Sequence, residues 1–203
     1  MDVVILGITG RTGSRLSDEL LRRGHKVTGV ARNIEKVPQR EGVTLVAADV
    51  TDTQKLAFIL KGHKVVISAT RFVTSDINSL ITAVKEADVA RLLVVGGAAT
   101  LEVAPGVPML DTPGFPDANR AEATAGREFL NRLRQEQSFN WTFLSPSADF
   151  NPGQRTGKFR LGQDTLLVDT NGKSWISMED YAIAMADEVE DPKHIRQRFT
   201  VGY

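Results

Sequence analysis

Three glycines spaced three apart, Gly7, Gly10 and Gly13, follow the apolar run Val3-Val4-Ile5-Leu6 and lead into a helical pattern. Backbone without a Cβ can turn sharply, approach a ligand closely and let a helix pack hard on a strand, and each glycine fits one of those jobs in turn. The first N–H groups of a helix lack intrahelical partners and sit at the positive end of its dipole. Such a corner is an anion site, and a dinucleotide pyrophosphate is its usual occupant. Arg11 falls in the first helical turn, where a cation is disfavoured unless an anion binds beside it. Thr9 and Thr12 add hydroxyl donors at the same spot. Spacing alone also fits an ordinary turn; the strand before and the helix after favour the nucleotide.

A second strand pattern over residues 26–31 ends at Arg32. Where such a strand meets an adenosine ribose, a carboxylate selects NAD and an arginine accommodates the extra phosphate of NADP. No Asp or Glu stands at this tip, so NADP(H) is expected over NAD(H), with a solvated surface arginine as the competing reading. Asp49 closes a third strand pattern. It could accept from the adenine amino group, or serve as a turn residue before a helix capped by Thr51 and Asp52.

Composition narrows the classes. Lys plus Arg number 25 and Asp plus Glu number 25, for a formal charge of zero. That balance argues against nucleic acid or a membrane surface held by a field of positive charge. No cysteine is present, which excludes disulfides, thiolate metal sites and a cysteine nucleophile. His25, His63 and His194 are isolated, so no metal is expected. The opening apolar stretch is too short to span a bilayer and lacks a basic n-region, so a cytoplasmic protein is expected.

The elements that would position these residues alternate. Helical spacing puts Leu16, Leu20 and Leu21 on one face, then Leu56, Ile59 and Leu60, then Ile77, Leu80, Ile81 and Val84. Short apolar strand patterns lie between them, at 43–48, 65–69 and 91–95. This rhythm predicts βαβ crossovers, and hence an α/β fold with a doubly wound, mainly parallel sheet and helices on both faces. Ligands then bind outside the carboxyl ends of the strands. The tips at Gly7–Gly13, Arg32, Asp49 and Val50, Ser68, Ala69 and Thr70, and Gly96 and Gly97 are expected along one crevice.

Residues 101–118 are rich in Pro and Gly and read as a long loop over that crevice, in the manner of a lid. A helix is expected over 121–135, a sixth strand over 140–144, a β-rich stretch around Leu166-Leu167-Val168, a last helix capped by Ser177 and a final strand over 198–201. One domain is expected over 1–203, in which residues from about 145 form a small extension on the substrate side.

Gly7-Ile8-Thr9-Gly10-Arg11-Thr12-Gly13, Ala31-Arg32-Asn33, Ala48-Asp49-Val50, Trp141-Thr142-Phe143-Leu144-Ser145-Pro146 and Ile176-Ser177-Met178-Glu179-Asp180-Tyr181 together resemble the atypical short-chain dehydrogenase/reductase family. Within it the chain is similar to the NmrA-like and biliverdin-reductase-B-like branch of small Rossmann-fold NAD(P)-binding proteins. The resemblance implies that Gly7, Gly10, Arg11, Thr12 and Gly13 hold the pyrophosphate and that Arg32, helped by Arg11, holds the 2′-phosphate. By the same resemblance Asp49 and Val50 flank adenine, and Ser68, Ala69 and Thr70 border the ribose toward the nicotinamide.

The parent family uses a Ser after the fifth strand and a Tyr four residues before a Lys, which lowers the tyrosine pKa for proton transfer. Here Gly96-Gly97-Ala98 replaces that Ser, Met185 lies four residues beyond Tyr181, and Tyr203 ends the sequence. Ketone chemistry by that triad is therefore not expected. Hydride transfer to a small conjugated acceptor such as a flavin, quinone or linear tetrapyrrole is, because the acceptor can take its proton from solvent. Phe72, Met109, Phe115 and Phe150 are candidate walls, or plain core packing. Asp111 and Ser145 are the polar candidates for a catalytic part. A non-catalytic NADP(H) sensor of the NmrA-like type is the alternative. A monomer or homodimer acting on a small molecule is the expected assembly.

Overall fold

The computed structural model describes residues 1–35 and 37–203; Lys36, inside the polar connection read over 34–42, lies outside them. The first half alternates strand and helix: β1 (Asp2–Leu6), α1 (Arg11–Arg22), β2 (Lys26–Ala31), β3 (Val43–Ala47), α2 (Thr53–Leu60), β4 (Val65–Ser68), α3 (Ile77–Glu86) and β5 (Arg91–Val95). A hairpin of β6 (Glu102–Ala104) and β7 (Val107–Pro108) then precedes α4 (Asp117–Arg134) and β8 (Asn140–Pro146). The chain ends with β9 (Asp149–Asn151), β10 (Arg160–Gly162), β11 (Trp175–Ser177), α5 (Met178–Glu190) and β12 (Gln197–Gly202).

Eight strands form one sheet in the order β10-β12-β8-β5-β4-β1-β2-β3. All pairs are parallel except β10 with β12. The chain winds outward from β1 in both directions, so the strand order reverses between β1 and β4. In an open α/β sheet that reversal opens a crevice at the carboxyl ends.

The alternation along β1 shows why a strand without a polar position is stable here. Val4 and Leu6 pack into the layer of Leu56, Leu80, Val84 and Phe129, brought by α2, α3 and α4. Val3 and Ile5 pack into the opposite layer with Leu16, Leu20, Tyr181 and Met185, brought by α1 and α5. These four side chains are buried, as both faces of a parallel sheet require, and only Asp2 at the start of β1 is exposed. Caps fix the helix starts: Asp52, Asp76 and Ser177 accept backbone N–H groups of the first turns of α2, α3 and α5.

Three expectations are corrected. The 101–118 stretch is a packed hairpin, not an open loop: Gly106 turns it at positive φ, and Leu101, Leu110 and Phe115 are buried beneath it. Its outer strand is also fastened, with Glu102 donating to the Asp164 carbonyl at 2.8 Å and accepting from the Leu166 N–H at 2.9 Å. Residues 166–168 form no strand; the edge strand is β10, six residues earlier in the chain, and it pairs with the far end of β12. And α4 begins at Asp117, directly after Pro116, so the helix reaches back to the crevice by a full turn more than its apolar spacing indicated. No helix among the described residues is long and apolar enough to cross a membrane.

Candidate cofactor and acceptor site

The glycine bend has the geometry its spacing implies. Gly7 lies at φ +85°, and a Cβ there would stand 2.8 Å from the Ala69 carbonyl oxygen of the neighbouring strand. A Cβ on Gly13 would stand 2.1 Å from the Gly7 carbonyl oxygen, so α1 can start only this close to β1 if the position carries no side chain. Gly10 is the N-cap of α1 and offers no capping side chain. The first N–H groups of the helix therefore stay available for an anion.

A cleft of about 350 Å³ runs from this bend across the strand tips. It gathers Gly7, Thr9 and Gly10 from the first turn, Arg32 from β2, Asp49 and Val50 from β3, and Ala69 and Thr70 from β4. Eight of the residues named from the sequence thus meet at one place. The Asp49 carboxylate accepts from the Thr51 N–H at 2.9 Å and hydroxyl at 2.8 Å. Those two bonds, and more weakly the charge of Arg32, hold its carboxyl below the ordinary range. Asp49 is thus a turn residue that also lines the cleft.

Other residues stand apart. Thr12 and Gly13 lie within α1, and Ser68 is buried, its hydroxyl 3.1 Å from that of Thr70. The Arg11 guanidinium reaches away from the bend to Asn151 Oδ1 at 3.0 Å, tying α1 to β9. Gly96 is a packing glycine, since a Cβ there would meet the Phe143 ring at 2.3 Å and the Leu144 carbonyl oxygen at 2.7 Å.

Beyond the bend, a second, mostly apolar chamber of about 210 Å³ opens beside the β5 tip at Gly97. Phe72, Met109, Phe115 and Phe143 wall it, with Glu122 and Asn119 of α4 at its rim. Phe72 is held from both ends. Its backbone N–H donates to Glu122 Oε1 at 2.7 Å, and its ring lies 5.1 Å from that of Phe129 and 6.0 Å from that of Phe143. Gly126 makes room for that ring, because a Cβ there would stand 2.9 Å from it.

Residues 70–74 form the wall common to both compartments: Thr70, Arg71 and Thr74 face the cleft and Phe72 faces the chamber. Arg71, Thr74, Glu122 and Asn119 were missed in the sequence. Arg71 follows Thr70 directly and is the residue that a longer reading of the β4 tip would have included.

Three candidates are relocated. Asp111 turns its carboxylate to Arg127 Nη1 at 2.8 Å, outside the chamber. Ser145 is fully buried in β8, and its hydroxyl has no hydrogen-bond partner among the described residues. Phe150 packs on Tyr181, ring centroids 4.7 Å apart, in the α5 layer. Tyr181 is itself fully buried and donates to the Leu144 carbonyl at 2.7 Å; burial pushes its hydroxyl well above the ordinary range. Tyr203 is joined to Ser177 Oγ at 2.8 Å and Asp180 Oδ2 at 2.7 Å, away from both compartments.

The glycine bend, the free helix terminus and the strand order define a nucleotide-binding doubly wound fold, and known proteins agree. The NAD(P)H-binding family model matches residues 7–192. The chain belongs to that NAD(P)H-binding family, of the atypical short-chain dehydrogenase/reductase kind. It is 39% identical to the uncharacterised protein YwnB of Bacillus subtilis (strain 168), over 99% of this chain and 98% of that one. A solved structure from Bacteroides thetaiotaomicron, provisionally named an epimerase, superposes with a TM-score of 0.95 at 42% identity, covering 100% of this chain and 96% of that one. Another from Streptococcus pneumoniae TIGR4, provisionally named an NADH-flavin reductase, gives 0.87 at 31% identity over 100% and 99%.

Proposed function

We propose that the protein is an NADPH-dependent oxidoreductase that passes hydride to a small conjugated acceptor without a Ser-Tyr-Lys triad. The observation that carries this reading is the wall at residues 70–74. A nucleotide whose pyrophosphate rested on the glycine bend would lie along one side of it, in the cleft lined by Thr70, Arg71 and Thr74, and the apolar chamber lies on the other.

The residues present fit that nucleotide. Gly7 and Gly13 leave the space that a Cβ would fill, the α1 terminus supplies N–H donors, and Arg32 supplies positive charge at the β2 tip. When bound, the cofactor supplies the hydride. The chain's own part is to align and to keep water away from the acceptor: Phe72, Met109, Phe115 and Phe143 present apolar surface, and Glu122 fixes Phe72. Both tyrosine hydroxyls are engaged elsewhere, which supports an acceptor that takes its proton from solvent. The provisional reductase name of the Streptococcus relative points the same way.

The test is NADPH oxidation followed at 340 nm with a panel of flavins and quinones. Steady turnover with at least one acceptor is expected. A silent panel together with tight NADPH binding would overturn the enzyme and favour the NmrA-like sensor.

A further inference from the structure

The charge and size of the chamber narrow the acceptor. Among the described residues its lining carries one acidic side chain, Glu122, and no basic one. Arg71 stands 3.5 Å from Glu122 but faces the cofactor cleft, where nucleotide phosphates would claim it. Arg120 lies 5.6 Å from the centre of the Phe115 ring, with its guanidinium committed to Asp117 and to the carbonyls of Leu110 and Phe115. An acceptor bearing phosphate or carboxylate would enter apolar surface beside a carboxylate, with no cation assigned to it. A charge taken out of water without a partner is strongly disfavoured.

Size acts in the same direction. A chamber of about 210 Å³ falls below the ~300–1,000 Å³ usual for drug-sized ligands. Phe72 cannot retreat to enlarge it, being fixed by Glu122 behind its backbone and by Gly126, Phe129 and Phe143 around its ring. One or two fused rings fill the space, and a linear tetrapyrrole or a flavin nucleotide would extend out of it through its open side.

Resting on the reductase reading, we infer that the acceptor is a small, planar, uncharged quinone of one or two rings, and that Glu122 is a specificity-determining residue that turns anionic acceptors away. Each turnover carries two electrons and one proton onto the quinone as hydride from the dihydronicotinamide, with a second proton from water. Quinone becomes hydroquinone and the nicotinamide is left oxidised.

The experiment compares 1,2-naphthoquinone with its 4-sulfonate, and 1,4-naphthoquinone with its 2-sulfonate, by NADPH oxidation and by calorimetric binding to the NADP⁺-loaded protein. For each pair, kcat/KM for the neutral member should exceed that for the anion at least about tenfold, the equivalent of 1.4 kcal/mol. The ratio should shrink in 0.5 M salt, because screening weakens charge selection and leaves steric selection intact. It should shrink again in Glu122→Gln and invert in Asn119→Lys, which places a cation at the rim. Equal rates for both members, or a ratio indifferent to salt and to both substitutions, would overturn the inference and leave the reductase standing. Selective binding of the neutral ligand with no turnover would overturn the reductase and keep the chamber's selectivity.

Discussion

Arg155 meets Glu19 through two parallel bonds, Nε to Oε2 at 2.8 Å and Nη2 to Oε1 at 2.9 Å, and so clamps the segment after β9 onto α1, the helix that follows the glycine bend. Arg23 and Arg22 donate to the same carboxylate from one turn further along α1. Next to this cluster Glu179 of α5 accepts from Arg15 and from the Gly153 N–H, which ties the segment down a second time. The clamp and the Arg11–Asn151 bond hold the segment after β8 against the start of α1 without touching the chamber.

Glu19 is only 3% exposed, and its removal would leave the mostly covered Arg23 and the more exposed Arg155 and Arg22 without this acceptor. Glu19→Gln is expected to destabilise the fold by about 2 kcal/mol, below the scale for a fully buried ion pair because Arg22 and Arg155 are solvated and Arg23 keeps Asp187 and Glu190. Arg155→Ala should cost less, since that side chain is 41% exposed. Urea denaturation of both variants checks the order, and equal losses would show that the clamp is not centred on Glu19.

Gly13→Ala tests the bend itself. The added carbon would stand 2.1 Å from the Gly7 carbonyl oxygen, a backbone atom that cannot swing aside. The start of α1 must move off β1, with an expected loss of about 3 kcal/mol, the upper part of the usual range for overpacking. Nucleotide affinity should fall further than stability alone explains, because the N–H donors move with the helix. Calorimetric titration beside thermal melting separates the two. Unchanged affinity would mean that the pyrophosphate does not rest there.

The parts of the site that were legible in the sequence are those whose function requires a missing side chain or a strand end. Gly7 and Gly13 are fixed by local sterics, and Arg32, Asp49 and Thr70 each follow an apolar run that had to be a strand. The parts that were not legible depend on partners distant in the chain. Asp111 resembled a lone carboxylate until Arg127, one helix later, claimed it. Phe150 and Phe115 look alike as residues, yet the β9–β11 pairing turns one toward Tyr181 while the hairpin leaves the other at the chamber. Glu122 lies in a polar stretch of helix, and only its reach to the Phe72 and Val73 N–H groups, fifty and forty-nine residues away, shows its role.

Acid stability should depend on Glu136. Burial by itself would raise its carboxyl, but the ion pair with Lys85 at 2.8 Å and the bonds from Ser138 and Gln137 outweigh it and lower the pKa from 4.5 to about 2. Because the folded value is depressed, the unfolded chain binds more protons across that interval, and stability rises with pH. The contribution is complete above about 4.5 and is lost as pH falls toward about 2. Glu136→Gln should therefore be less stable than the parent at pH 7 and converge on it near pH 2. Denaturation midpoints at pH 7, 4 and 2.5 check this; a constant gap would mean that the charge is not what stabilises.

On the proposed NADPH reading, cofactor choice is expected to turn on Arg32, which stands at the β2 tip with Asp49 across the cleft. Asp49 is already answered by Thr51, which would leave the Arg32 charge for a 2′-phosphate. Arg32→Asp removes a charge-assisted bond and adds a like charge to the phosphate, so NADPH affinity should fall by at least ~1.5 kcal/mol, more than tenfold. NADH carries no phosphate at that position and should change little. Paired titrations at one salt concentration decide it: equal weakening of both nucleotides would mean that Arg32 supports the fold of the cleft and does not choose between them.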